Sequence, residues 1–324
     1  MSGNSTRRLF LAGMAGGAAA LARQAQQPQD DPTQTFTSDV TRVNILFTAS
    51  DKKGRFVNNL VKEDFEVIEA KKKQTILEFV AESDLPLRIG SLVDTSNSIR
   101  ARFRFEIEAA RSFLEGVIRK GKDKALVYSF DTEATLVQDF TDDVELLGTR
   151  LRDMRPGGGT ALYDAVYYAC RDRLMLERPM HKFRRAMIMI GDGEDNASRY
   201  TRDQALELAQ KSEVVVYAIS TNNSGTLRDQ SVDRSTTPHM PSDGDKVLQY
   251  LTRETGGRTY FPFLAQDLDQ DFENIANELR SQYSILYKPE PLKADGLYHP
   301  IEVRLKRRAD LVVRARRGYY APKG

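Results

Sequence analysis

Three short polar segments carry the residues of this chain that are best suited to binding a metal ion. The first is Asp-Thr-Ser-Asn-Ser at 94–98, which directly follows the apolar run 87–93. A Gly-Gly-Gly-Thr segment occupies 157–160, and Gly-Asp-Gly at 191–193 ends a second apolar run. Carboxylate and hydroxyl oxygens are the ligands that a small hard cation such as Mg²⁺ prefers. The candidate ligands are Asp94, Ser96, Ser98, Thr160 and Asp192.

The charge of this set indicates what the site would do. Asp94 and Asp192 balance a divalent cation, and the hydroxyls add no charge. A coordination position left open on such an ion attracts an anionic oxygen from outside the protein. Asp-x-Ser-x-Ser alone also occurs in turns and helix caps. The order of all three segments, two of them at strand ends, is what favours a metal site.

These segments resemble the metal-ion-dependent adhesion site of von Willebrand factor A-type (VWA) domains, and the resemblance covers about residues 85–282. In that family, one divalent cation is bound by the Asp-x-Ser-x-Ser motif, a threonine of a later loop and an aspartate after the fourth core strand. The resemblance implies these roles for the five candidate ligands, with Mg²⁺, or else Mn²⁺ or Ca²⁺, as cofactor. It implies a protein partner that presents an Asp or Glu carboxylate. The family often has Thr-Asp-Gly where this chain has Gly-Asp-Gly, so the aspartate is kept and the preceding hydroxyl is not.

The central region alternates apolar strand patterns with amphipathic helix patterns. This alternation predicts an α/β fold with a doubly wound, mostly parallel sheet, and the turn at 131–133 is short enough to make the third strand an antiparallel edge. The predicted strands are 87–93, 124–130, 134–140, 185–190, 214–220 and 258–261. The predicted helices are 103–119, 142–153, 161–176, 201–211, 245–255 and 267–282.

Strand patterns return on both flanks of this region. Residues 43–47, 65–69 and 75–80 alternate apolar and polar side chains, as do 283–287, 301–305 and 311–315. Neither flank has enough strands to bury a face by itself. We therefore expect a small β-sandwich built from residues 36–84 and 283–324, with a VWA domain at 85–282 inserted in it. The sandwich should lie at the end of the domain away from Asp94.

The first residues have the pattern of an export signal. Arg7 and Arg8 precede a weakly apolar stretch that ends in Ala-Leu-Ala at 20–22, which resembles a twin-arginine signal peptide with its cleavage site. We expect a signal peptide at 1–25, a flexible linker at 26–35, and no membrane span in the mature chain. General secretion is the alternative route, because arginine pairs also occur in ordinary signal peptides. The expected location is the periplasm, the outside or the surface of a bacterium.

Composition narrows the possible functions further. The chain has 324 residues, 48 basic and 46 acidic, so its net charge of +2 gives no general signal for nucleic acid. The basic residues of the tail alternate with apolar ones, as on the wet face of a strand. Cys170 is the single cysteine, which excludes an intrachain disulfide. The three histidines are scattered along the sequence, which disfavours a zinc site.

These observations favour an exported, cation-dependent protein-binding module and not an enzyme. The main alternative is a metal-dependent phosphatase or other hydrolase with Asp94 as nucleophile, but no acid or base lies close to it in sequence. A purely structural wall protein is a third possibility. The long polar loop at 221–243 follows a strand, so it is expected at the metal-binding edge, where it would either select the partner or be disordered.

Overall fold

The structure is a computed structural model, and it describes residues 42–81, 85–222, 240–262 and 265–323. The predicted signal peptide and linker at 1–35 and most of the 221–243 loop lie outside these residues. No helix within the described ranges is long and apolar enough to cross a membrane. The strands are β1 (Val43–Asp51), β2 (Phe65–Glu69), β3 (Lys72–Gln74), β4 (Ile76–Val80), β5 (Leu87–Asp94), β6 (Lys124–Phe130), β7 (Ala134–Thr141), β8 (Arg184–Gly191), β9 (Val214–Ser220), β10 (Thr259–Tyr260), β11 (Tyr283–Tyr287), β12 (Tyr298–Leu305), β13 (Leu311–Ala315) and β14 (Gly318–Tyr320). The longer helices are α1 (Phe103–Val117), α2 (Val144–Asp153), α3 (Leu162–Asp172), α4 (Arg202–Lys211), α5 (Asp243–Thr255) and α6 (Ala265–Arg280).

A six-stranded sheet forms the centre, in the order β10-β9-β8-β5-β6-β7. β5 and β8 are buried at every residue, which is why both are mostly apolar in the sequence. Neighbouring strands are parallel except for β6 and β7, which the short turn at 131–133 joins as an antiparallel pair. The predicted mostly parallel sheet with an antiparallel edge strand is confirmed.

Helices cover both faces of this sheet and bury two separate cores. On one face, α1, α2 and α6 contribute such residues as Phe113, Leu147 and Ile275. On the other face, α3, α4 and α5 contribute Val166, Leu206 and Leu248, and the Cys170 thiol is buried among them. This burial raises the pKa of Cys170 to about 12, so the thiol is unreactive at neutral pH. The doubly wound architecture predicted from the sequence is confirmed.

The two flanks together form a β-sandwich around a third core. One sheet has the order β13-β1-β11-β4 and the other the order β14-β12-β2-β3, so both sheets combine strands from the two flanks. Aromatic rings join the layers: Phe65 of β2 lies 4.9 Å from Phe47 of β1 and 5.8 Å from Tyr283 of β11, between ring centroids. The predicted sandwich with an inserted α/β unit is confirmed.

Several elements differ from the sequence prediction. β3 pairs with β2 across a turn in which Ala70 and Lys71 have φ of 50° and 62°. No Gly or Asn marks that turn, so the hairpin left no signal in the sequence. The predicted strand 75–80 begins one residue later, at Ile76 of β4, because the chain passes from one sheet to the other between β3 and β4. Strand β14 was missed, and the predicted helix 161–176 ends at Asp172 before a short 3₁₀ turn at Leu174–Leu176.

The sandwich contacts the end of the central sheet where the parallel strands begin. Arg184, the first residue of β8, anchors the point where the chain enters the sandwich: it donates from Nη1 to Oε1 and from Nη2 to the carbonyl of Gln282, the residue before β11, both at 2.6 Å. Arg316 donates to the carbonyl of Asn44 at 2.6 Å and to that of Gln210, near the start of β9, at 3.4 Å. The carboxyl ends of β5 and β8 are therefore left free of the sandwich, as the chain crossings predicted.

Candidate metal centre

Asp94 stands at the carboxyl end of β5, in the middle of the sheet. The backbone turns directly after it, and the Ser96 amide donates to Asp94 Oδ1 at 2.7 Å. This turn brings the hydroxyls of Ser96 and Ser98 back over the strand end. Asp94 is fully buried and Ser96 nearly so, whereas Ser98 is exposed. The first motif therefore runs from the protein interior to its surface.

A chain of hydrogen bonds connects this motif to Asp192. β5 and β8 are neighbours, and their register brings Gly191 and Asp192 beside Asp94. The Ser96 and Ser98 hydroxyl oxygens are 2.8 Å apart, and Ser98 Oγ donates to Asp192 Oδ2 at 2.8 Å. Four of the five predicted ligands are thus grouped in the structure: Asp94, Ser96, Ser98 and Asp192.

The glycine-rich loop packs against the same turn. The Gly157 amide donates to the Thr95 carbonyl at 2.6 Å, and the Asn97 amide donates to the Gly158 carbonyl at 3.2 Å. The loop brings Thr160 to a buried position, where its amide is held by Asn196 Oδ1 at 2.8 Å. Within the described residues, the Thr160 hydroxyl makes no hydrogen bond to the other four candidates. Only a cation bound by all five residues would connect Thr160 to them.

The electrostatics of the site favour binding a cation. Asp94 Oδ2 is buried and has no hydrogen-bond partner among the described residues. Burial, and secondarily the charge of Asp192, raises the pKa of Asp94 to about 7. A buried carboxylate oxygen without a partner is costly, and a cation at this position would remove that cost.

The arrangement fits a small hard divalent cation. Two carboxylates and the hydroxyls of Ser96 and Ser98 are grouped at the same strand ends, Thr160 is buried on the adjoining loop, and one carboxylate oxygen is unsatisfied. The described residues contain no group of three or more His, Cys, Asp or Glu placed to bind a metal together, so a site that depends on thiolates or imidazoles is not indicated. An oxygen-only set with neutral hydroxyls suits Mg²⁺, Mn²⁺ or Ca²⁺.

Gly191 explains the departure from the usual Thr-Asp-Gly sequence. A Cβ atom at this position would lie 2.8 Å from Asp94 Cβ and 3.0 Å from Asp94 Oδ2. Real Cβ atoms essentially never make contacts shorter than 3.0 Å. In this packing, the space beside the Asp94 carboxylate requires a glycine, and the missing side chain allows β8 to approach β5 closely.

Sequence reasoning missed two charged residues beside the site. Arg102, just before α1, has Nη2 3.8 Å from Asp192 Oδ2 and donates from Nη1 to the Thr221 carbonyl at 2.5 Å. Glu106, on the first turn of α1, is fully buried, and burial followed by the charge of Asp94 raises its pKa well above the usual range. The sequence could have indicated Glu106, because helical periodicity puts this acidic residue on the apolar face of the predicted helix, between Phe103 and Ala110.

Comparison with known proteins agrees with this architecture. Residues 91–194, which include all five candidate ligands, match the family model described as von Willebrand factor type A domain. An uncharacterized protein of Borreliella burgdorferi is 25% identical over 197 residues. That match covers 56% of this chain and 55% of the relative, so the chain spans about half the length of the relative.

Three solved structures are similar to part of this chain at low sequence identity. An aerotolerance-related membrane protein from Bacteroides fragilis matches at 18% identity and TM-score 0.44, over 59% of this chain and 99% of its own. BatB from Bacteroides thetaiotaomicron matches at 18% and 0.46, over 60% and 100%. Proximal thread matrix protein 1 from the mussel byssus, with a zinc-occupied MIDAS motif, matches at 16% and 0.48, over 65% and 50%. These TM-scores are all below 0.5 and support no assignment, so what the comparisons show is that residues 91–194 of the α/β unit match the von Willebrand factor type A domain.

Proposed function

We propose that this protein is an exported protein-binding module whose partner is captured through a divalent cation held by Asp94, Ser96, Ser98, Thr160 and Asp192. The observation that carries the proposal is the buried, unpartnered Oδ2 of Asp94 beside Asp192 and the serine hydroxyls. A VWA domain is a type of domain that commonly mediates protein interactions, which supports the same conclusion. Mg²⁺ is the expected cation, with Mn²⁺ or Ca²⁺ as substitutes.

Each ligand would have a distinct part in this function. Asp94 and Asp192 supply the two negative charges, and the backbone amide on Asp94 Oδ1 leaves Oδ2 as the free acceptor. Ser98 is exposed, so it lies where an incoming group would arrive. A bound cation would supply an open coordination position for an anionic oxygen, which we propose is the Asp or Glu carboxylate of a partner protein.

Calorimetry with Mg²⁺ and Mn²⁺ tests the cation site. Asp94→Ala and Asp192→Ala should each reduce the affinity at least about tenfold, because each removes a full charge from beside the ion. Ser96→Ala and Ser98→Ala should have smaller effects. Asp153→Ala, which removes an exposed carboxylate from α2, is the control and should bind like the wild type. Wild-type affinity in both aspartate variants would refute the site.

Crosslinking in intact cells tests the partner and separates binding from catalysis. A partner should be captured by the wild type in the presence of Mg²⁺ and lost with a chelator or in Asp94→Ala. Turnover of generic phosphate and ester substrates with Mg²⁺, abolished in Asp94→Ala, would instead support a hydrolase. Capture that ignores both the chelator and the substitution would support a purely structural role.

We also propose that residues 1–25 direct export by the twin-arginine route, and that 36–84 and 283–324 form one domain around a VWA domain at 85–282. Arg7→Lys combined with Arg8→Lys should leave precursor in the cytoplasm, because this pathway reads the arginine pair. Cell fractionation measures this. Unchanged export would indicate the general secretory route.

A further inference from the structure

The Arg102 side chain lies beside the candidate metal centre without being one of its ligands. Its Nη2 atom is 3.8 Å from Asp192 Oδ2, and Nη1 donates to the Thr221 carbonyl at 2.5 Å. The side chain is 17% exposed and that of Asp192 is 4% exposed, so the pair is shielded from most of the solvent. Interactions between charges shielded in this way are stronger than those on the open surface.

Arg102 balances part of the charge of the two candidate ligand carboxylates. Asp94 and Asp192 carry two negative charges when ionised and Arg102 carries one positive charge, whereas burial favours the neutral acid form of Glu106. The charge of Arg102 opposes the upward shift that burial gives the pKa of Asp94 and of Glu106, and its Nη2 atom is paired with Asp192 Oδ2. The charges of Asp94, Asp192 and Arg102 total −1 without a divalent ion and +1 with one. Without the ion, the guanidinium is the fixed positive charge closest to Asp192 among the ion pairs of the described residues.

We propose that Arg102 is a tethered counter-cation: it neutralises part of the carboxylate charge when no divalent ion is bound, and it opposes the ion when one binds. This inference rests on the proposed cation site and adds how its affinity is set. The guanidinium cannot lose its proton in a protein, so its repulsion of the divalent ion is permanent. The tie to the Thr221 carbonyl keeps the charge close to Asp192. Arg102 therefore weakens cation binding and stabilises the cation-free protein.

Calorimetry on the mature chain at low ionic strength, with Mg²⁺ and with Mn²⁺, tests this role. Arg102→Gln should tighten cation binding on the order of tenfold, because it removes a like charge from beside the ion. Arg102→Lys keeps the charge and should stay within about twofold of the wild type. Arg104→Gln is the matched control: it removes the same charge from an exposed position on the first turn of α1, and its effect should be within about twofold.

Thermal unfolding in a chelator gives a readout that does not depend on cation affinity. Arg102→Gln should lower the Tm because the carboxylates lose their counter-charge, and added Mg²⁺ should raise the Tm of the variant more than that of the wild type. Circular dichroism at 10 °C checks folding. Arg102→Met, which keeps the aliphatic stem, replaces the glutamine variant should that variant not fold.

The outcomes separate this inference from the proposed function. Wild-type binding together with equal or weaker binding by Arg102→Gln refutes the counter-cation role and leaves the cation site in place. Tighter binding by Arg102→Lys to the same degree as Arg102→Gln would assign the effect to the Thr221 hydrogen bond and overturn the charge argument. A wild type that binds neither cation refutes both proposals together.

Discussion

At the scale of single residues, the space beside Asp94 determines what the site can hold. Gly191→Ala would place a Cβ atom 2.8 Å from Asp94 Cβ, so the carboxylate or β8 must move. Since Mg²⁺ tolerates little departure from octahedral geometry, we expect about a tenfold loss of Mg²⁺ affinity. We also expect about 1–3 kcal/mol lower stability from overpacking. Calorimetry and urea unfolding measure the two effects.

Gly157→Ala is the control for this substitution. It lies in the glycine-rich loop of the same site, and an added Cβ would meet no atom within 4 Å. Its Mg²⁺ affinity and stability should both remain close to those of the wild type. Equal behaviour of the two variants would show that the close contact at Gly191 is relieved at no cost to the site.

Glu106 predicts a pH-dependent stability of the cation-free protein. Burial favours the protonated acid, so the folded-state pKa of Glu106 is well above its ordinary value of 4.5. The unfolded chain releases this proton near pH 4.5, whereas the folded chain still holds it. The free energy of unfolding therefore falls as the pH rises from 4.5 toward the folded-state pKa. Glu106→Gln removes the penalty and should raise the Tm by roughly 3 °C at pH 7.5 in a chelator.

The pH series is the decisive measurement for Glu106. The difference in Tm between Glu106→Gln and the wild type should shrink as the pH falls to about 4, where both states of the wild type hold the proton. Glu108→Gln, on the exposed face of the same helix, should show no such trend. A difference that is constant with pH would indicate a packing effect and not a titration.

At the scale of elements, the hairpin between β2 and β3 is held against local preference. Ala70 and Lys71 both have left-handed φ, which costs an L-residue about 1–2 kcal/mol. Strand pairing supplies the compensation, because β3 pairs with β2 and β2 pairs in turn with the distant strand β12. Lys71→Gly should therefore raise the unfolding free energy by about 1 kcal/mol.

Urea unfolding measures the effect of this change. Lys72→Gly is the control: it puts the same residue one position later, inside the strand, where glycine should lower the stability by about 0.5–1 kcal/mol. The Mg²⁺ affinity should be the same in both variants, since the hairpin belongs to the sandwich. Equal destabilisation by both glycines would contradict the strain argument.

The N-terminus of α5 shows how a distant element fixes the site. Gly193 and Gly244 approach so closely that a Cβ on Gly244 would lie 2.1 Å from the Asp192 carbonyl oxygen. The Asn222 side chain donates to that same carbonyl and to Asp245 Oδ1, each at 2.9 Å. Asp192 is thus held from its backbone side by α5, which leaves its carboxylate directed to the serines and Arg102.

At the scale of the whole molecule, the candidate metal centre and the sandwich lie at opposite ends of β5. Leu87 and Asp94 are separated by the length of this strand, roughly 23 Å at 3.3 Å per residue. At the far end of the central sheet, Arg184 donates two hydrogen bonds to Gln282, the residue before the sandwich strand β11. Its burial lowers the pKa of the guanidinium to about 10.

Arg184→Met should lower the unfolding free energy by about 2–4 kcal/mol, because it removes two buried charge-assisted hydrogen bonds. Mg²⁺ affinity should not change, since the substitution lies at the other end of the strand. Arg150→Met, on the exposed face of α2, is the control and should be within about 0.5 kcal/mol of the wild type. A loss of Mg²⁺ affinity in Arg184→Met would show that the two ends are coupled.

The sequence by itself determined the architecture and the positions of the candidate ligands. Strands that are buried on both faces are mostly apolar, so the ends of β5 and β8 were visible as the points where Asp94 and Asp192 follow apolar runs. Parallel strands then bring those ends to one edge of the sheet. The flanking strands were visible from a different pattern, the alternation of apolar and polar side chains.

Tertiary structure decided what surrounds those ligands. Arg102 lies beside Asp192 and donates to the Thr221 carbonyl only because the start of α1 and the end of β9 pack at the same edge, and no local pattern specifies that packing. The β2–β3 hairpin formed without a turn signature, since pairing to β12 compensates for its unfavourable backbone. Apolar periodicity reports burial along one element, whereas the charge balance of a site depends on side chains that distant elements bring together.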